Sequence, residues 1–158
     1  MEVLNLTRDE AIERYEELLD EFYEYLKTKN LTQKTINLHC NRLGFYIFYY
    51  LMDYELYDYD TDLFSYSPFY IVNEHYIDNF LGNFYIRKVL SSSVSDLKGY
   101  ITAFNKYIDF LEDKRLIDKN DKKVLKNGIK LYKDIWIYKM EAYDNPEYSF
   151  EDIADLFE

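Results

Sequence analysis

The sequence predicts an all-α fold, a single bundle-like domain of five to six helices over residues 1–158. Two observations lead to this prediction. Apolar residues recur at spacings of three and four along several stretches, and no segment alternates apolar and polar residues between Gly or Pro turns. The chain has 158 residues with 4 Gly and 2 Pro. Its length therefore suits one domain, and its composition disfavours a turn-rich β-sandwich.

Each predicted helix begins after a residue that can cap a helix N-terminus. The predicted ranges are 8–28, 33–52, 74–85, 94–113, 119–141 and 150–157. The capping residues are Thr7, Thr32, Asn73, the run Ser91–Ser93, Asp118 and Ser149. Thr7 also stands three residues before Glu10, which is the spacing of a capping box.

Residues 53–70 interrupt the helical pattern. The stretch from Asp53 to Pro68 is acidic and rich in tyrosine, and it has no sustained helical period. We therefore expect a long loop or an insertion here, and a loop of this length in a compact domain is mobile or functional. At the end of the chain, residues 141–158 are expected to form an acidic tail or a short helix.

The net charge of −11 is unevenly distributed. Residues 1–30 carry −5, residues 31–52 carry +2 and residues 53–85 carry −7. Residues 86–140 carry +6, and residues 141–158 carry −7. The average acidity argues against nucleic acid as a partner, but the basic block keeps that class of partner open.

Three absences bear on localisation. No stretch approaches the ~20 apolar residues of a membrane span, and the start from Met1 to Leu4 lacks the features of a secretory signal. The single cysteine, Cys40, cannot form a disulfide within the chain. We therefore expect a cytoplasmic protein with no membrane partner.

The segment from Phe22 to Ile36, FYEYLKTKNLTQKTI, carries a family resemblance. An aromatic-rich helix ends in a basic turn, and a polar residue followed by Lys-Thr-Ile opens the next helix. This segment resembles the start of the core-binding, SAM-like N-terminal domain of tyrosine recombinases (phage integrases). The likeness continues through 77–81, the Tyr-x-x-Phe-Leu of 107–111 and the exit turn at 116–120, and it covers about 12–120.

The resemblance implies a SAM-like helical arrangement and a module that clamps DNA. In the family, a catalytic domain follows and supplies two Arg, a Lys, a His and a nucleophilic Tyr. Here 38 residues follow position 120, and they contain neither Arg nor His. We therefore predict a DNA-associated accessory module that is not an enzyme, with no catalytic residue, metal or cofactor. The His-x-x-Arg spelled by His39 and Arg42 is interpreted as an accident of sequence.

A basic face on the fifth predicted helix is the candidate DNA-binding site. Its lysines fall within about 100° of arc at 100° per residue: Lys119, Lys122, Lys123, Lys126, Lys130 and Lys133. Lys114 and Arg115, in the preceding turn, extend this face. The apolar pattern of the same helix runs through Val124, Leu125, Leu131, Tyr132, Ile135 and Trp136, of which Val124, Leu131 and Ile135 lie on the far side. We expect weak contacts between the basic face and the backbone of duplex DNA. An ordinary solvated face, balanced by acidic helices, is the alternative.

The competing hypothesis is a protein-interaction module that does not bind DNA. Its candidate residues are Tyr54, Tyr57, Tyr59 and Tyr66, which lie among acids in the 53–70 segment. Aromatic side chains are enriched in protein interfaces, so this segment and the acidic tail would contact a basic partner. Mimicry of DNA by the acidic faces and self-association are further open alternatives.

Overall fold

The computed structural model describes residues 2–158. In this part of the chain, 72% of the residues are helical, arranged as six continuous helical stretches with one small three-stranded sheet. The predicted all-α, bundle-like fold class is therefore confirmed.

The first two helices begin where their caps predict. Helix α1 (Arg8–Lys27) has the Thr7–Glu10 capping box, in which each residue's side chain bonds the other's backbone N–H. Helix α2 (Gln33–Phe45) is capped by the Thr32 hydroxyl. It then widens, without a break, into a π-helical segment (Tyr46–Glu55). The prediction of 33–52 falls short of the helical end at residue 55.

The sheet is the main difference from the prediction. Strands β1 (Leu4–Leu6), β2 (Tyr57–Asp58) and β3 (Leu63–Tyr66) form an antiparallel sheet in the order β1-β3-β2. The loop predicted over 53–70 is therefore wrong for its central part, which forms a β-hairpin. Strands this short cannot display the alternating pattern that sequence analysis relies on.

The remaining helices agree closely with their predicted ranges. They are α3 (Glu74–Asn79), a second π-helical segment (Phe80–Phe84), α4 (Tyr85–Lys88), α5 (Val94–Asp113), α6 (Lys119–Asp144) and α7 (Phe150–Asp155). The stretch from α3 to α4 is one continuous helical run, which follows a 3₁₀ turn at Tyr70–Val72. Helix α5 matches its predicted bounds, whereas α6 extends three residues beyond its prediction.

The two π-helical segments pack on each other through aromatic rings. Tyr46 contacts Phe80 with ring centroids 4.9 Å apart, and Tyr50 contacts Phe84 at 5.1 Å. Phe104 of α5 meets Tyr46 edge-on at 4.9 Å. Such tilted and edge-on pairs add to the stabilisation from burial alone. This aromatic cluster is part of one hydrophobic core that α1, α2, α5 and α6 share.

Among residues 2–158, none of the helices combines the length and apolar composition that a membrane crossing requires.

Candidate functional site

Helix α6 carries the predicted site, and its position is fixed at both ends. At its start, the Asp121 backbone N–H donates to the Asp118 carboxylate (2.8 Å), and the Asp118 N–H donates to the Asp121 carboxylate (3.2 Å). Further along, the Trp136 indole N–H donates to Asp78 Oδ1 of α3 (2.7 Å). Gly82 leaves room for this ring, because a Cβ at that position would lie 3.0 Å from it and the ring would have to move slightly.

The turn between α5 and α6 brings α6 back against α5. Arg115 adopts a left-handed conformation with φ of 59°. Its backbone N–H donates to the Glu112 carbonyl, and the Leu116 N–H donates to the Leu111 carbonyl, each at 2.9 Å. This is the hydrogen-bond pattern of a Schellman helix end.

Three of the eight predicted DNA-binding residues are held in ion pairs by acids of α1 and α5. Lys126 Nζ lies 2.6 Å from Asp109 Oδ1, and Lys122 Nζ lies 3.1 Å from the same oxygen. Lys122 also pairs with Glu112, and Lys114 pairs with Glu21 of α1. These contacts neutralise part of the basic face, as the alternative of a balanced, solvated surface predicted.

The pKa values within this network follow from its hydrogen bonds. Burial of Asp109 opposes ionisation of its carboxyl group, but the hydrogen bonds from Lys126 and Lys122 outweigh burial and lower its pKa. Glu112 and then Asp109 raise the pKa of Lys122. Each shift favours the charged form, so Asp109 and Lys122 both carry their charges near neutral pH.

The other five predicted residues have no carboxylate within 4 Å in the part of the chain that the structure describes. We call them the free cations: Arg115, Lys119, Lys123, Lys130 and Lys133. Four are exposed, and Lys133 is half-buried. The structure thus divides the predicted basic face into an ion-paired part and a part with available positive charge.

The apolar pattern of α6 is only partly buried, which corrects the sequence analysis. Val124 is 61% exposed, Leu131 is 73% exposed and Ile135 is 47% exposed. Leu125, Tyr132 and Trp136 of the predicted pattern do face the core, together with Ile129 and Met140. The exposed residues, together with Gly128 and the 52% exposed Tyr138, form a second stripe, which we call the apolar seam (Val124, Gly128, Leu131, Ile135 and Tyr138).

The four tyrosines of the competing hypothesis do not form one surface. Tyr54 is 63% exposed and Tyr59 is 78% exposed. Tyr57 is partly buried against Phe64 (ring centroids 4.7 Å apart), and Tyr66 packs edge-on against buried Tyr15 at 4.9 Å. Only Tyr54 and Tyr59 are therefore widely available to a partner.

The two side chains of the His-x-x-Arg motif in α2 take part in packing and ion pairing within the fold. Arg42 pairs with Asp96 of α5 at 3.1 Å, and the Tyr85 hydroxyl donates to the same carboxylate at 2.7 Å. Gly99 allows this approach, because a Cβ there would lie 2.3 Å from the Arg42 guanidinium carbon. His39 is buried, and this burial lowers its pKa. Both side chains are thus part of the packing between α2 and α5.

No family model, curated protein or solved structure matches this chain. The resemblance to the recombinase module rests on its sequence motifs and stays a prediction.

Proposed function

We propose that the protein is a non-catalytic module that binds the phosphate backbone of duplex DNA through the free cations. The observation that carries this proposal is the set of five cations along α6 and the turn before it that have no carboxylate partner among residues 2–158. Backbone binding depends on the number of phosphates that such cations neutralise, with no need for base contacts.

The ion pairs set an upper limit on this binding. With at most five phosphates neutralised, the slope of log affinity against log salt is about −4.5, so affinity falls by about 500-fold between 50 and 200 mM salt. The net charge of −11 opposes association with DNA. The proposed binding is therefore weak and strongly dependent on salt.

Fluorescence anisotropy with a labelled duplex, at roughly 50 and 200 mM salt, tests the proposal. The Lys123→Glu, Lys130→Glu double variant should abolish binding. The matched control is Lys34→Glu with Lys98→Glu, which makes the same change in net charge at exposed residues of α2 and α5. The control should retain part of the binding. Absence of binding by the unaltered protein at the lower salt concentration, or equal loss in both variants, would contradict it.

The ion-paired lysines provide a second comparison. Because Lys126 is already bound to Asp109, Lys126→Gln should lower DNA affinity much less than Lys130→Gln. An equal loss in both variants would show that pairing within the chain does not decide which cations reach DNA.

A second candidate function is binding of a basic protein segment by Tyr54 and Tyr59. It is favoured by their exposure of 63% and 78% beside Asp53, Asp58 and Asp60. Titration with an arginine-rich peptide, followed by tyrosine fluorescence, tests it. The Tyr54→Ser, Tyr59→Ser variant should lose the response, whereas Lys123→Glu with Lys130→Glu should retain it.

A further inference from the structure

The apolar seam has the spacing of a helix-pairing surface. Its residues follow one another at intervals of four, three, four and three, which is the a/d pattern of a coiled coil. From Val124 to Tyr138, it extends roughly 21 Å along α6. Four of its five residues are large and apolar and are between 47% and 73% exposed. Contiguous exposed apolar surface of this kind marks an interaction site.

Gly128 lies within the seam, and packing inside the chain does not require it. Apart from its chain neighbours and the adjacent backbone of α6, no heavy atom of the described residues lies within 4 Å of the position that its Cβ would occupy. Glycine in a helix interior is destabilising, but it allows another backbone to approach closely. Val124 and Gly128 also line an apolar groove against Val72 and Ile77. There is thus room at this end of the seam for a side chain from another molecule.

The charges beside the seam identify the partner. At 100° per residue, four charged side chains lie along one edge within about 40° of one another. Lys123 and Lys130 occupy the N-terminal half of this edge, and Asp134 and Glu141 occupy the C-terminal half. In a parallel, two-fold symmetric pair, the charged edges of the two α6 helices would lie on opposite sides of the interface, so their charges would not pair. An antiparallel α6 would place each basic half against an acidic half, which is the favourable arrangement.

We propose that the apolar seam binds the same seam of a second copy of this chain, in an antiparallel, two-fold symmetric pair centred on Leu131. Val124 then faces Tyr138 of the second copy, whose ring lies beside the groove at Gly128. Lys130 lies near Asp134 of the second copy, and Lys123 lies near Glu141 of the second copy. Each copy contributes the same surface, so the pair is a closed dimer to which no third copy adds through this interface.

Two features of the monomer favour this association. Helix α6 is already formed and fixed to its own core through Trp136 and Met140, so pairing does not require the folding of a segment. Helix α6 also carries a net charge of +3 in a chain of −11. Pairing through α6 keeps the acidic remainder of the two chains away from the interface, and contacts of Lys123 with Glu141 and of Lys130 with Asp134 offset the repulsion between the two positive helices.

Sedimentation equilibrium over roughly 1 µM to 1 mM tests the pairing. The mass of the unaltered protein should rise from 19.3 kDa towards twice that value. Leu131→Glu should remain monomeric over the whole range. The matched control is Leu90→Glu, which changes an exposed leucine outside α6 and should associate as the unaltered protein does. Matching circular dichroism spectra will show that both variants are folded.

Disulfide trapping tests the orientation. In a Cys40→Ala background, chains with Val124→Cys are mixed with chains with Tyr138→Cys and then oxidised. An antiparallel pair centred on Leu131 should give a disulfide only in the mixture.

Disulfides within each separate sample would indicate parallel pairing and overturn the proposal. A monomer at every concentration, or association that Leu131→Glu leaves intact, would also overturn it. Because pairing would place Lys123 and Lys130 against acids of the second copy, DNA binding is measured separately on the monomeric Leu131→Glu variant, which retains all the lysines.

Discussion

At the scale of single residues, buried tyrosine hydroxyls differ in whether they have a partner. Tyr107 is fully buried, and its hydroxyl donates to the Pro68 carbonyl at 2.7 Å. Tyr46 is also fully buried, but its hydroxyl has no partner among the described residues. Burying a polar group without a hydrogen bond is costly, whereas a bonded group contributes to stability.

We therefore expect opposite effects from removing these two hydroxyls. Tyr107→Phe should lower the free energy of unfolding by about 1–2 kcal/mol, because it leaves the Pro68 carbonyl without its donor. Tyr46→Phe should leave stability unchanged or raise it by about 1 kcal/mol. Urea denaturation followed by circular dichroism measures both variants. Equal losses in the two would mean that the presence or absence of a hydrogen-bond partner does not decide the effect of removing the hydroxyl.

Cys40 allows a test of burial through pH. Burial, and then the nearby Asp20 carboxylate, raises the pKa of the Cys40 thiol to about 11. A raised thiol pKa lowers the thiolate fraction, to roughly one in a thousand at pH 8. The rate of reaction with a disulfide reagent should therefore rise about tenfold per pH unit between pH 7 and pH 10. The control is the same reaction in denaturant, where the rate should level off near pH 9. A plateau at that pH in the folded protein would contradict the shift.

At the scale of secondary-structure elements, capping residues set where the helices begin. The Asp118–Asp121 capping box bonds two backbone N–H groups at the start of α6. Asp118→Ala should lower the free energy of unfolding by about 1 kcal/mol, because it leaves one of these donors unsatisfied. Asp118→Asn is the matched control, since asparagine caps about as well as aspartate. A similar loss in both variants would indicate that the charge, and not the cap, contributes the stability.

The elements also show what the sequence could predict. Helix starts at Thr7, Asp118 and Ser149 were predictable because each cap acts on residues only three positions away. The pairing of β1 with β3 was not, because Leu4 and Tyr66 are far apart in sequence.

Helix α6 shows the same limit within one element. It carries two adjacent apolar stripes, and periodicity alone cannot say which one faces the core. Leu125 and Val124 are neighbours in sequence, yet Leu125 packs against the core and Val124 is 61% exposed. The ion pairs of Lys122 and Lys126 involve Asp109 of α5. The sequence pattern of α6 alone could therefore not predict them.

At the scale of the whole molecule, one hydrophobic core joins most of the elements, but α7 is attached differently. Helix α7 has no buried residue. Phe157, which follows α7 in the chain, contacts other helices. Its ring meets Tyr143 edge-on at 6.0 Å and lies 5.2 Å from the Arg87 guanidinium. Helix α5 has nine buried residues and lies at the centre of the core. The two helices should therefore open with very different free energies.

Amide hydrogen exchange should show this difference. Amides of α7 should exchange through local opening, much faster than those of α5, which should exchange only on global unfolding. Phe157→Ala should accelerate exchange in α7 and leave α5 unchanged. Equal protection of α7 and α5 would contradict the expected hierarchy.

The small sheet has a consequence for the order of folding during synthesis. Strand β1 finds its partner 58 to 62 residues later, since Leu6 pairs with Phe64 and Leu4 with Tyr66. At a translation rate of about 5–20 residues per second, β1 must wait several seconds for β3. Helix α1 begins directly after β1 and can form in that interval. Strand β1 is translated first, but it thus pairs with β3 only after α1 and α2 have been made. This pairing joins the N-terminal end of the chain to the β-hairpin.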